Sequence, residues 1–221
     1  MELAAGLDEA ARLGDEEAVR HLLAAGARSD QADADGWLPM HVASSCGHET
    51  VLRLLLEPAP DTALAVDFSG WTPLHRAANC GSIEEMKLLL SAAPAAASML
   101  NKSKEAPIHR AAYSSNAAAV QLLLEAAPEL AFALDNEGCT PLHLVLRYSH
   151  DTAEQVAETA RCLLRAAPAV QTALGILLQY SQHSATLYAD LMARLSLSQE
   201  QRHSIPAPCP DLAQALPAVL E

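Results

Sequence analysis

The feature that most constrains this chain is a 34-residue recurrence. His41, His75, His109 and His143 stand at that spacing, and so do Pro39, Pro73, Pro107 and Pro141. The leucine runs 54–56, 88–90 and 122–124 keep the same register. A fixed period of this size marks a stack of one repeated supersecondary unit, in which each unit contacts only its neighbours. The chain of 221 residues is therefore read as one elongated domain. It holds 45 alanines against eight aromatics, so its core must be built from small side chains on closely spaced helices.

Residues 67–94 show one unit. In "DFSGW", Asp67 can bond its own backbone and Gly70 can adopt positive φ cheaply. Thr72 is placed to cap a helix and Pro73 to occupy its first position, where the missing N–H costs nothing. Leu74, Ala77 and Ala78 share its inner face, and Gly81 ends it. A second helix, "IEEMKLLL", turns Ile83, Met86, Leu89 and Leu90 inward. Pro94 then disfavours helix at Ala93. The acidic runs at 15–17 and 84–85 open helices, where they complement the dipole.

The formal charge is −13, without a basic block, which argues against nucleic-acid binding. Five cysteines without a CxxC, and no signal peptide or membrane-length apolar run, are read as reduced thiols of an intracellular, cytoplasmic protein; the nucleus stays open.

"DADGWLPMHVASSCGHETVLRLLL" (33–56), "DFSGWTPLHRAANCGSIEEMKLLL" (67–90), "NKSKEAPIHRAAYSSNAAAVQLLL" (101–124) and "DNEGCTPLHLVL" (135–146) together resemble the ankyrin repeat, with four "TPLH"-type stretches in register. The resemblance implies an all-α solenoid of helix-turn-helix units with short turn tips. It runs from about residue 2 to 170: a capping unit (1–32) and repeats at 33–66, 67–100, 101–134 and 135–170. The alanine-rich style is similar to that of algal ankyrin proteins. Residues 171–204 are expected to form a helical cap, and 205–221 a Pro-rich linker with a short terminal helix. Three departures carry expectations. The period is 34 rather than 33, and the extra residue should sit in the return loop. Lys104 stands where the turn glycine belongs, so that turn should be irregular. Six inserted residues near 150–160 should lengthen the outer helix or widen a loop.

No GxSxG, phosphate-cradling glycine loop or HExxH occurs, and an enzymatic role, a cofactor or a metal is not expected. The resemblance assigns the repeated histidines to hydrogen bonds with hairpin backbone. Their spacing also forbids a shared ion, since stacked units lie ~10 Å apart and zinc ligands ~2 Å from the metal. Cys46 and Cys80 occupy equivalent positions near Arg76, which leaves a reactive-thiol reading as a rival.

Binding should reside where the repetition breaks, at turn tips and inner-helix positions. These are Asp35, Trp37, Ser45 and Cys46; Phe68, Ser69, Trp71, Arg76, Asn79 and Cys80; Lys102, Ser103, Glu105, Arg110, Tyr113 and Ser114; and Asn136, Glu137, Cys139, Arg147 and Tyr148. Trp37 and Trp71 either anchor a partner or pack over neighbouring turns. Arg76, Arg110, Lys102 and Lys104 either form a cationic island that grips a carboxylate or phosphate, or are neutralised by Asp67, Glu84 and Glu105 as surface pairs. The resemblance implies a monomeric, non-enzymatic module holding a protein or peptide in a concave groove. A second reading, from "IPAPCPDLAQALPAVL", is a ubiquitin-ligase adaptor with a degenerate SOCS-like tail.

Overall fold

The computed structural model describes residues 2–148 and 152–166. Expectations for 171–221 fall outside those residues. So do the side chains of Arg147 and Tyr148.

Among the described residues every long element is helical. The capping unit is α1 (Glu2–Leu13) and α2 (Glu16–Ala24). The repeats contribute α3 (Pro39–Cys46) and α4 (Glu49–Leu56), α5 (Pro73–Cys80) and α6 (Ile83–Ala92), α7 (Pro107–Tyr113) and α8 (Ala117–Ala126), then α9 (Pro141–Tyr148) and α10 (Ala153–Ala166). The helices sort into two rows. The inner row packs α1 on α3, α3 on α5, α5 on α7 and α7 on α9; the outer row follows with α2, α4, α6, α8 and α10.

Each unit is punctuated as its residues require. Thr72 Oγ1 accepts the His75 N–H at the start of α5, and Pro73 is the first helical residue. Gly47 and Gly81 end α3 and α5 with φ of 79° and 75°. Asp15 caps α2 by accepting the Ala18 N–H at 2.9 Å. Leu74, Ala77, Ala78, Met86 and Leu89 are fully buried, and Ile83 and Leu90 pack against them. The core is continuous from Leu7 in the cap to Leu163 in α10.

The return loop takes a definite form in three repeats. Short 3-10 turns run Pro60–Leu64, Pro94–Ser98 and Pro128–Phe132, which is where the longer period is accommodated. In the fourth repeat the insertion lengthens the outer helix: α10 has 14 residues against 10 in α8.

The turn at Lys104 corrects an expectation. It is regular, because Lys104 itself adopts φ 57°. Its backbone bonds, Lys104 N–H to Asn101 O and Asn101 N–H to Glu105 O, match those of Gly70 to Asp67 and Asp67 to Trp71. Asn101 supplies the same side-chain acceptor as the aspartates elsewhere, taking the N–H groups of Ser103 and Glu105. That network outweighs the modest cost of a lysine in the left-handed region.

Candidate functional site: an aromatic–guanidinium ladder beside the turn tips

The repeated histidines form the spine on which the tips are mounted. His41, His75 and His109 are fully buried. Nδ1 of each accepts a backbone N–H within its own unit, from Leu38, Thr72 and Ala106. That fixes the proton on Nε2, which donates across the repeat boundary to the carbonyls of Trp71 (3.0 Å) and Glu105 (2.9 Å) and, for His109, to Ala133 O (3.0 Å) on the stretch leading into the next turn. Burial lowers the pKa of each below the ordinary imidazole value, to about 4 for His75. The rings are thus neutral struts that hold each turn against the next helix.

The turn tips are clamped from within. Asp33, Asp67, Asn101 and Asp135 each accept two backbone N–H groups with one side-chain oxygen, those of residues two and four positions on. Adjacent tips are also joined. Lys102 N–H donates to Ser69 O at 3.0 Å, and Asn136 N–H to Ser103 O at 2.8 Å. The tips are therefore fixed before any partner arrives.

Along the inner row, five side chains interleave. The Arg76 guanidinium lies 3.9 Å from the centre of the Trp37 ring and 4.3 Å from that of Trp71. Arg110 follows, 4.9 Å from Trp71 and 4.8 Å from Tyr113. The order Trp37, Arg76, Trp71, Arg110, Tyr113 crosses three repeats. The ladder is confined there by sequence: Val42 and Leu144 occupy the arginine register in the first and fourth repeats, and Cys139 the tryptophan register in the fourth.

Each rung also has an acid. Arg76 pairs with Asp67, whose side chain is 1% exposed. Burial pushes the Asp67 carboxyl up, but Arg76 and the Trp71 and Ser69 N–H groups outweigh it and hold the pKa below the ordinary range. In the next repeat the acid has moved. Asn101 stands in the Asp67 register, and Glu105 takes its place as partner of Arg110 at 3.0 Å. Asn101 Nδ2 steadies Glu105 at 2.7 Å, and Asn79 Oδ1 accepts from Arg110.

These contacts decide between the readings of the arginines. Arg76 and Arg110 side chains are only 19% and 18% exposed, each paired and stacked. The solvent-facing cationic island does not form around them. Nor are they ordinary surface pairs, since Asp67 is buried; Glu84 pairs with Lys87 instead. Lys102 and Lys104 alone of that group lie exposed at a tip.

The remaining predicted positions divide cleanly. Asp35, Phe68, Ser69, Lys102, Ser103, Asn136 and Glu137 are exposed at the tips. Trp37 and Trp71 are half-buried, each with a ring face on Arg76. Ser45 and Ser114 turn their hydroxyls back to helix carbonyls, and Asn79 faces Arg110. Cys139 is buried in the core. Cys46 and Cys80 are exposed at the ends of α3 and α5. Burial and the neighbouring Cys46 raise the Cys80 thiol pKa, and Cys80 Sγ donates to Ser45 O at 3.1 Å. Arg76 is turned to Asp67 and the tryptophans, so the cation a reactive thiol needs is engaged elsewhere.

The described part of the chain also matches a known family. The profile described as ankyrin repeats (3 copies) covers residues 7–99 and 86–167, most of the sequence. The chain belongs to the ankyrin-repeat family. A comparison with curated protein sequences found no match. Ankyrin repeats generally serve as protein–protein interaction modules, and this ankyrin protein presents the rigid tips and variable inner row that such a role requires.

One set of exposed residues in this ankyrin stack escaped the sequence reading. Leu64, Val66, Leu100, Phe132 and Leu134 are exposed on the stretches entering the turns. Their signal was present as a two-residue alternation, "ALAVDF", "ASMLNK" and "AFALDN", each starting at a buried alanine. It was masked by the helical and alanine-rich patterns on either side.

Proposed function

We propose that this ankyrin-repeat chain is a non-enzymatic scaffold that holds another protein or peptide against its tips and inner row. The observation that carries this is the ladder from Trp37 to Tyr113 beside tips already locked to one another. A prefixed surface loses little ordering entropy on binding. Half-buried aromatics stiffened by arginine are the side chains that dominate interface energies. In this reading the stack acts as a monomer inside the cell, where the exposed thiols Cys46 and Cys80 stay reduced.

The test is affinity capture from cells with the full chain as bait. Ser69→Arg with Ser103→Arg crowds the tips while leaving the backbone bonds of both turns in place. Trp37→Ala with Trp71→Ala removes the aromatic rungs. Partners should be lost with both pairs; retention by both would refute the reading.

A further inference from the structure

The backbone leading into each turn is extended, at Ala65, Met99 and Ala133 with ψ of 147°, 139° and 137°. Side chains therefore alternate. Ala63, Ala97 and Ala131 are buried; residues 64, 98 and 132 are exposed; residues 65, 99 and 133 face partly inward; residues 66, 100 and 134 are exposed again. The stacking register sets these stretches side by side. The result is two parallel rows: Leu64, Ser98 and Phe132; and Val66, Leu100 and Leu134. In the second row Val66 is 50%, Leu100 51% and Leu134 57% exposed. Scattered exposed aliphatics are unremarkable, whereas a contiguous register across three repeats marks an interaction surface.

Resting on the scaffold reading above, we infer that these rows take an amphipathic helix of a partner protein, apolar at heptad positions and basic at its flank. Two dimensions select a helix. Stacked units repeat every ~10 Å, and one heptad of α-helix rises ~10.5 Å, so one turn-pair of the helix meets each repeat. The surface is two apolar side chains wide in the first and third repeats, as an a/d seam is and as a single strand edge is not. Charge selects the flank. Asp61 and Glu129, in equivalent positions two repeats apart, are exposed beside the Leu64–Phe132 row, and the whole chain carries −13. Lysines or arginines on one side of the helix complement them.

The probe is a fluorescent 21-residue peptide of three heptads, leucine at a and d, lysine at e and b, and alanine elsewhere. Binding to the full chain is read by anisotropy. Leu100→Asp with Leu134→Asp should weaken it at least ~10-fold, since the burial of both leucines against the helix is lost. A peptide of the same composition with its periodicity scrambled should also bind at least ~10-fold more weakly. Equal binding of the scrambled peptide, or no effect of the substitutions, overturns the inference. So does a dimer, seen by light scattering, that the substitutions convert to monomer, because the rows would then be covered by a second copy. The inference and the scaffold reading fail separately. Partners still captured by Leu100→Asp/Leu134→Asp but lost from Ser69→Arg/Ser103→Arg leave the scaffold and remove the helix.

Discussion

Arg76 reaches across a repeat boundary to lay its guanidinium 3.9 Å over the ring of Trp37. The two residues are 39 positions apart and belong to different units. Their contact ties the stability of the stack to the surface it presents.

Arg76→Ala should therefore be costly. It leaves the buried Asp67 carboxylate without its arginine and takes the guanidinium from Trp37, while Trp71 keeps only that of Arg110. A loss of about 3 kcal/mol is expected from breaking a buried pair. Arg76→Lys should cost less, keeping the charge but not the planar stack. Urea unfolding followed by tryptophan fluorescence measures both, and an alanine variant of unchanged midpoint would contradict the ladder.

The histidine struts predict acid sensitivity. Folded His41, His75 and His109 have depressed pKa values, so the unfolded chain binds more protons below the ordinary value of 6.5. Their stabilisation is full above about pH 6.5 and falls as pH drops, for His75 down to about 4, where its share of the loss reaches roughly 3 kcal/mol. Urea midpoints at pH 7.5 and pH 5 should differ clearly, with the lower pH less stable. Equal midpoints would show that the rings are charged or exposed.

Asp8 should act with the opposite sign. It stands in the histidine register of the capping unit, and its Oδ1 is buried without a partner. Burial and then Asp33 raise its pKa to about 6. The folded state thus prefers the protonated form, an advantage present below pH 3.8 and lost as pH rises through about 6. Asp8→Asn should stabilise the protein at pH 7.5 more than at pH 4.5. A benefit independent of pH would disprove this account.

Turn chemistry gives a pair of opposed substitutions. A Cβ at Gly70, whose φ is 81°, would lie 2.9 Å from the Lys102 nitrogen in the next turn, so Gly70→Ala should destabilise by ~2 kcal/mol. Lys104 already adopts positive φ, so Lys104→Gly should be stabilising by several tenths to ~1 kcal/mol. Thermal melts of the two variants should move in opposite directions.

The thiols bear on the catalytic alternative. With Cys80 raised by burial and by Cys46, its alkylation by iodoacetamide at pH 7 should be slower than that of a free cysteine. Fast, selective labelling of Cys80 would reopen it.

What the sequence by itself determined was local. The 34-residue period, the Thr72–Pro73 helix start, the Gly81 stop and the aspartate-clamped turns depend on neighbours a few residues apart, and such signals are written in order along the chain. The Lys104 turn was misread because a steric preference, taken alone, omitted the hydrogen bonds around Asn101 that offset it. What only the tertiary structure decided was pairing between units. Whether Arg76 faces solvent or Trp37, and whether Val66 ends in the core or beside Leu100, depends on how one repeat is rotated and displaced against the next. That placement comes from the packing of all the buried faces at once, and no single unit contains it.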